Sequence, residues 1–224
     1  MSTPTTARAT GSTADPTIRA NNAAAPPPVA KAPPVADPAA LGLAAFGLTT
    51  FMLSMVNGKI VGAGVEPAVF GMALAMGGLA QLLAGMWEFR NGNTFGATAF
   101  TAYGAFWLSF WAFTQFYAST IPEAQAGHAV GLYLYAWAAF TFYMIIPSFA
   151  TARTVNVVFL LLAPTFLLLA IGNYGAHPDI VKIGGWLGIL TAIAAAYGSC
   201  AVVTNATFGR VVLPTGPLAR TPQT

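Results

Sequence analysis

The sequence predicts an all-α integral membrane protein with six transmembrane helices and both termini in the cytoplasm. Of its 224 residues, 56% are hydrophobic and only 7% are charged, whereas about 25% of the residues of an ordinary soluble domain are charged. Six apolar segments follow one another, and each is near the length of about 20 residues that a transmembrane helix needs. When the connections are assigned alternately to the two sides of the membrane, most lysines and arginines fall on one side, as the cytoplasmic side of a membrane protein requires.

Residues 1–36 precede the first apolar segment. They are rich in Ala, Pro and Thr, and they lack both apolar periodicity and the hydrophobic stretch of a cleaved signal. We therefore expect a disordered, polyproline-like cytoplasmic tail. The apolar segments fall at about 41–56, 68–87, 95–117, 129–149, 155–171 and 183–203. The transmembrane domain is accordingly predicted at 37–208, and a cytoplasmic C-terminal tail at 209–224.

The lysines and arginines predict the orientation, because cytoplasmic segments of membrane proteins carry the excess of these residues. With the N-terminus in the cytoplasm, seven of the nine lie on that side, and the opposite side holds only Lys59 and Lys182. The seven are Arg8, Arg19, Lys31, Arg90, Arg153, Arg210 and Arg220. A wrong number of spans would scramble this split, so the charges also support the count of six.

Glycines recur at regular spacing on two of the predicted helices. Gly71, Gly78 and Gly85 are seven residues apart, and Gly184 with Gly188 forms a GxxxG motif. Small residues on one helix face let another backbone approach closely. The pattern predicts close helix packing, within the chain more often than between chains.

Several classes of function lack their usual signatures. His128 and His177 stand alone at the ends of spans, and the sequence contains no hydrolase triad and no HExxH motif. Cys200 is the only cysteine, which excludes an intramolecular disulfide and a cysteine-based metal site. The net charge of +3 comes from scattered residues, without a basic run that would bind nucleic acid. We expect no enzyme activity, no cofactor and no nucleic-acid partner.

The spans contain sparse uncharged polar residues and no charge near their centres. Such residues can hydrogen-bond a carboxylate in transit, and they can equally bond neighbouring helices. A lining of neutral donors suits a small weak acid, because a buried cation would hold the anion too tightly for release. Asp37 lies before the first span and Glu88 at the cytoplasmic end of the second, where we expect both to reach water. The polar residues are Thr49, Thr50, Ser54, Asn57, Gln81, Thr98, Thr101, Tyr103, Gln115, Thr141, Asn156 and Asn173.

Short motifs along the chain resemble those of one known family. Asp-Pro-Ala-Ala-Leu-Gly-Leu at 37–43, followed by Phe-Gly-Leu-Thr-Thr at 46–50, resembles the Asn-Pro-Ala-Pro-Leu-Gly-Leu signature of the acetate uptake transporters, a group that includes bacterial succinate-acetate permeases. Further similarities occur in order at 77–81, 84–85 with 88, 92–96, 98–101, 103–104, 106–108, 170–173, 184–186 and 208–214. The resemblance covers roughly residues 37–217. Asp37 and Ala40 differ from the Asn and Pro of the family motif, and an anion at this position could weaken anion entry or change its pH dependence.

This resemblance implies a six-helix, channel-like bundle that assembles as a hexamer with one pore in each protomer. It also implies transport of acetate, in some members of succinate, often coupled to protons. The family's constriction falls on Phe46, Tyr103 and Leu162, and its polar pathway residue falls on Gln81. The predicted substrate pathway comprises Gln81, Asn57, Thr50 and Asn173, the pore constriction Phe46, Tyr103 and Leu162, and the pore mouth Asp37 and Glu88.

We therefore expect a plasma-membrane transporter of acetate or a similar small carboxylate, working by proton coupling or as a channel. One alternative is a channel for another small solute such as ammonia, urea or formate, for which a narrow pore of neutral donors would also serve. A second alternative is a non-transporting membrane sensor or scaffold that signals through the N-terminal tail. The aromatic residues proposed for the constriction have an alternative role in ordinary packing.

Overall fold

The structure is a computed structural model that describes residues 35–216, so the tail predicted at 1–36 lies almost wholly outside the described residues, as do residues 217–224. The described chain is helical, with no β-strand between residues 35 and 216. Its long helices are α1 (Ala39–Asn57), α2 (in three consecutive stretches, Pro67–Met72, Ala73–Ala80 and Gln81–Arg90), α3 (Thr94–Ala112), α4 (Glu123–Ser148), α5 (Arg153–Tyr174) and α6 (Pro178–Phe208). These six helices correspond in order to the six predicted apolar segments.

Five of the six helices are long and apolar enough to cross a membrane. The exception is α3, which has 19 residues but carries several Thr, Tyr and Trp residues that lower its mean hydropathy. Neighbouring helices cover one face of α3, as the burial of Tyr103, Phe106 and Trp107 shows. The membrane class is therefore confirmed by the structure, while the sixth span and the orientation stay predictions.

Two helices contain π-helical turns, which the sequence analysis did not predict. Ala73–Ala80 forms the middle stretch of α2, and Phe113–Tyr117 extends α3. A π turn inserts an extra residue into the helix and therefore rotates the side chains that follow it; such turns often lie at functional sites. The stretch in α2 ends immediately before Gln81, so it sets the direction in which this side chain points.

Close helix contacts occur at most of the glycines singled out in the sequence. A Cβ atom on Gly78 would lie 2.6 Å from a side-chain carbon of Leu108, and one on Gly184 would lie 2.9 Å from Leu169. Gly71 has no neighbour within 4 Å of such an atom. The glycine pattern thus serves mainly to bring helices together within this chain, as small residues do in membrane bundles.

Candidate functional site

Four neighbouring cavities follow α1 from one end to the other. The first, which we call the Glu88 vestibule, has a volume of about 400 Å³ and includes Asp37 and Glu88 in its lining. The second, the Gln81 cavity, and the third, the Thr50 cavity, have volumes of only about 20 and 40 Å³. The fourth, the Glu66 vestibule, has a volume of about 370 Å³. Two wide ends are therefore separated by a narrow middle.

Adjacent cavities share walls, which makes the four a continuous row. Phe46 and Leu162 line both the Gln81 cavity and the Thr50 cavity. The shared lining at the other two junctions consists of Leu43, Ala99, Phe100, Val158 and Phe159 next to the Glu88 vestibule, and of Leu53, Asn57, Phe106, Leu134 and Leu169 next to the Glu66 vestibule. Phe46 and Leu162 thus lie between the two small cavities, at a narrow point of the row.

Tyr103 is the centre of an aromatic cluster beside this narrow point. Its ring lies 5.8 Å from that of Phe46 and 6.4 Å from that of Phe166, measured between centroids. Its hydroxyl donates to Thr141 Oγ1 at 2.9 Å, because Thr141 Oγ1 itself donates to the carbonyl oxygen of Trp137 at 2.7 Å. Helix α4 thus anchors the hydroxyl, and the ring of Tyr103 lines the Gln81 cavity.

Buried polar atoms without hydrogen-bond partners are concentrated at the two small cavities. Within residues 35–216, Gln81 Oε1, Gln81 Nε2, Thr50 Oγ1 and Trp107 Nε1 have none. All three side chains are buried, and Gln81 is fully so. A buried polar group left unpaired costs about 1–3 kcal/mol, so native structures rarely keep several together without a purpose. These atoms can donate to and accept from a small polar solute in the narrow middle.

Glu88 is hydrogen-bonded to the connection between α2 and α3. The Nδ2 atom of Asn93 donates to Glu88 Oε2 at 3.0 Å, while Asn93 Oδ1 caps α3 by accepting from the Gly96 backbone N–H at 3.0 Å. The other carboxylate oxygen, Oε1, has no hydrogen-bond partner among the described residues. The side chain is only 1% exposed. The expectation that Glu88 reaches bulk water is therefore wrong, because Asn93 folds back over it, although Glu88 does line the vestibule.

Asp37 lies at the start of α1, on the same vestibule as Glu88. Its Oδ1 atom accepts from the Ala39 backbone N–H at 2.9 Å, as a capping carboxylate does. Unlike Glu88 it is exposed. The Glu88 vestibule thus combines one exposed and one buried carboxylate.

Besides Thr114, the opposite vestibule contains three polar side chains from different elements. Asn57 ends α1, Glu66 directly precedes α2, and Asn173 lies in the last turn of α5, where its Nδ2 atom donates to the Leu169 carbonyl oxygen at 2.8 Å. All three polar side chains are partly buried. Among residues 35–216, none of the side chains that line the four cavities is a lysine, arginine or histidine. Both wide ends are therefore acidic, and the row has no cation.

All nine residues predicted for the site line this row of cavities. Sequence reasoning missed three others that belong to it: Glu66, Asn93 and Trp107. Asn93 has a detectable signal, since Asn before a Thr-Phe-Gly helix start is a favoured N-cap residue. Glu66 and Trp107 have no such signal, because only the packing of distant helices brings them to the cavities.

Six long helices, of which five can span a membrane, and a row of cavities with a narrow middle define a polytopic α-helical membrane protein of the architecture used by channels and transporters. The chain belongs to the GPR1/FUN34/yaaH family, whose model matches residues 19–220. This finding confirms the resemblance noted in the sequence motifs.

Relatives of this chain include the succinate-acetate/proton symporter SatP of Escherichia coli K12, which is 39% identical over 182 residues, covering 81% of this chain and 96% of that protein. Ammonia transport outward protein 2 of Saccharomyces cerevisiae is 42% identical over 190 residues, covering 83% of this chain and 66% of that protein. A solved structure of the bacterial acetate channel SatP superposes with a TM-score of 0.76 at 38% identity, covering 82% of this chain and all of that one.

Proposed function

We propose that this protein carries acetate, or a similar small carboxylate, across a membrane through the row of cavities. The observation that carries the proposal is the narrow middle, where Gln81, Thr50 and Trp107, whose buried polar atoms are unpaired, line two cavities of about 20 and 40 Å³. A carboxyl group has one hydroxyl donor and two acceptor oxygens, which match an amide, a hydroxyl and an indole N–H. Relatives named for acetate or succinate transport support the same substrate class.

The constriction is closed in this conformation. A cavity of about 20 Å³ holds no more than about one water molecule. Passage of a two-carbon acid therefore requires Phe46, Leu162 or the ring of Tyr103 to move. Aromatic and aliphatic side chains at this point exclude larger or hydrated solutes by the work needed to separate them.

We further propose that the solute passes as the neutral acid, or as the anion together with a proton. A carboxylate without a counter-cation is strongly disfavoured in a dry, apolar cavity. The row contains no basic side chain, and carboxylates lie at both ends, where they disfavour anions further. The relative named as a proton symporter supports this reading.

Its cellular setting and assembly belong to the same proposal. We place the protein in the plasma membrane as a transporter without enzyme activity, assembled as a homo-hexamer. Each chain contains a complete row of cavities, so every protomer has its own pathway and the oligomer serves stability and not pore formation. Large apolar side chains exposed on the helices, such as Leu132 and Ile146, provide surface for lipid or for neighbouring protomers.

Uptake of labelled acetate into proteoliposomes that contain the purified protein tests the proposal. Uptake should exceed that of empty liposomes and should rise when the outside is made acidic relative to the lumen. Excess unlabelled acetate should compete, while urea should not. Absence of specific uptake would exclude carboxylate transport. Uptake that an imposed pH gradient does not change would exclude passage together with a proton.

A second candidate substrate is ammonia. The acidic ends of the row would concentrate ammonium ions, and one relative is named for outward ammonia transport. The same proteoliposomes, loaded with a pH-sensitive dye and exposed to an ammonium gradient, distinguish the two. Faster alkalinisation of the lumen than in empty liposomes, without acetate uptake, would favour ammonia over acetate.

A further inference from the structure

Residues 209–216, which we call the C-terminal strap, leave the end of α6 and return to the start of α5. Gly209 and Gly216 bracket the strap, and both have φ of 63°, a left-handed conformation that favours glycine. The carbonyl oxygen of Gly216 accepts from the Arg153 N–H at 2.6 Å, and that of Thr215 accepts from the Thr154 N–H at 3.2 Å. The strap therefore caps the first turn of α5 with its own backbone.

Two side chains of α6 hold the strap in place. Asn205 Oδ1 accepts from the backbone N–H groups of Val212 and Leu213 at 2.7 and 2.9 Å, and its Nδ2 atom donates to the Leu213 carbonyl oxygen at 2.8 Å. The Tyr197 hydroxyl donates to the Pro214 carbonyl oxygen at 2.9 Å. Four hydrogen bonds from two residues thus fix a segment that has no regular secondary structure.

The strap is a wall between two cavities. On one side is the Glu88 vestibule, and on the other is a groove of about 560 Å³ along the outside of α5 and α6. Thr154 and Thr215 line both spaces. Detachment of the strap would join the vestibule to the groove. It would also free the Arg153 and Thr154 N–H groups at the start of α5, where a helix readily binds a carboxylate.

We infer that Asn205 and Tyr197 are positioning residues that set the size of the acid admitted at the Glu88 vestibule, by fixing the C-terminal strap. This inference rests on the proposed carboxylate transport. With the strap attached, the mouth favours a short monocarboxylate. With the strap detached, the wider mouth and the freed N–H groups admit a four-carbon dicarboxylate more readily, since the second carboxylate gains donors.

The first test compares uptake of labelled acetate and labelled succinate by proteoliposomes of the wild type, Asn205→Ala, Tyr197→Phe and the double variant. Thr207→Ala is the matched control, because the Thr207 hydroxyl bonds only to the Val203 carbonyl oxygen of its own helix. We expect the succinate-to-acetate ratio to rise about tenfold for Asn205→Ala and about threefold for Tyr197→Phe, as loss of one or more net hydrogen bonds allows. Acetate uptake by each of the variants should change less than about twofold. The succinate-to-acetate ratio of the Thr207→Ala control should also change less than about twofold.

The second test measures the strap directly. Thr215→Cys is introduced together with Cys200→Ser, which removes the single native cysteine, and labelling by a soluble maleimide is timed. We expect Asn205→Ala to accelerate labelling about tenfold. Unchanged labelling in Asn205→Ala and Tyr197→Phe would overturn the assignment of the strap anchors. The labelling rate does not depend on transport.

The two measurements separate the possible failures. Faster labelling with an unchanged succinate-to-acetate ratio would show that the strap moves but does not set selectivity, which overturns the inference. Absence of acetate uptake by the wild type would instead contradict the proposed function, and the inference with it. Tyr197→Phe keeps the aromatic ring in the groove, so it provides a folded variant if Asn205→Ala does not assemble.

Discussion

The middle of the cavity row and its two ends differ in size and charge. The Gln81 and Thr50 cavities are narrow, uncharged and lined by unpaired polar atoms, whereas the vestibules are about tenfold larger and each contains at least one carboxylate. A charge at a wide end changes which species enters, but the solvent screens its field. A polar atom in the narrow middle acts without screening. We therefore expect the middle to control the rate and the selectivity among monocarboxylates, and the ends to control pH dependence and, through the C-terminal strap, the admission of dicarboxylates.

The two ends also differ from each other. Glu88 is 1% exposed and hydrogen-bonded by Asn93, so the vestibule that it lines has a fixed carboxylate. Glu66 is only partly buried and directly follows the 3₁₀ turn Ala63–Val65, and its vestibule is lined in part by the π turn Phe113–Tyr117. Irregular helix turns unwind more easily than a continuous α-helix. With the C-terminal strap attached, we infer a rigid end at Glu88 and a more adaptable end at Glu66.

The largest effect is expected for Gln81→Leu. This change replaces the fully buried amide by an apolar group of similar volume, so the narrow middle loses both a donor and an acceptor while its packing is kept. Acetate uptake should fall at least about tenfold, the factor given by about 1.4 kcal/mol of lost hydrogen bonding. Uptake within twofold of wild type would remove Gln81 from the pathway. Gln81→Asn, which keeps the amide, is the matched control and should retain more activity.

The next effect is expected for Phe46→Ala. Removing this ring enlarges both small cavities at the point that they share with Leu162. We predict that propionate and butyrate uptake rises relative to acetate by about tenfold, the lower end of the range that one methylene group gives in a hydrophobic pocket. Competition assays with the longer acids measure this ratio. Gel filtration of the variant checks that the bundle still assembles, and an unchanged ratio would assign Phe46 to packing alone.

A smaller effect is expected for Glu88→Gln. Neutralising the buried carboxylate removes its repulsion of anions in the vestibule, so uptake at neutral or alkaline pH should rise about threefold, and the decline of uptake with pH should become shallower. Uptake at acidic pH, where the neutral acid predominates, should change little. Glu88→Asp retains the charge and should keep the wild-type pH profile. A uniform loss of uptake at every pH would contradict this role and indicate loss of the contact with Asn93.

Much of this arrangement could be predicted from the sequence, for identifiable reasons. Apolar segments separated by short connections predict the helices, because backbone groups in a membrane must pair within a helix. The alignment of Phe46, Tyr103 and Leu162 at one point came from the family motifs, since residues on α1, α3 and α5 have no relationship in the sequence alone. The burial of Glu88 was missed because it depends on the fold of one connection, through Asn93.

Other features depend on tertiary structure that no local pattern encodes. The π turn before Gln81 has no local signal, because its sequence, Ala-Leu-Ala-Met-Gly-Gly-Leu-Ala, is compatible with an ordinary α-helix. The strap was part of a segment predicted as a tail. Its attachment depends on Asn205, whose side chain bonds residues seven and eight positions further along. A single Asn near the end of a helix gives no signal for such a contact.

The smallest effect is expected for Glu66→Gln at the adaptable end. Glu66 is more exposed than Glu88 and lines its vestibule together with Asn57 and Asn173, so its charge is better screened. We predict a change in acetate uptake of less than about twofold at any pH, with an effect that disappears in high salt. Measuring both variants in low and high salt tests the comparison between the two ends. A change in uptake for Glu66→Gln that equals or exceeds the change for Glu88→Gln would reverse the assignment. The more exposed carboxylate would then control entry, and the buried one would stabilise the connection between α2 and α3.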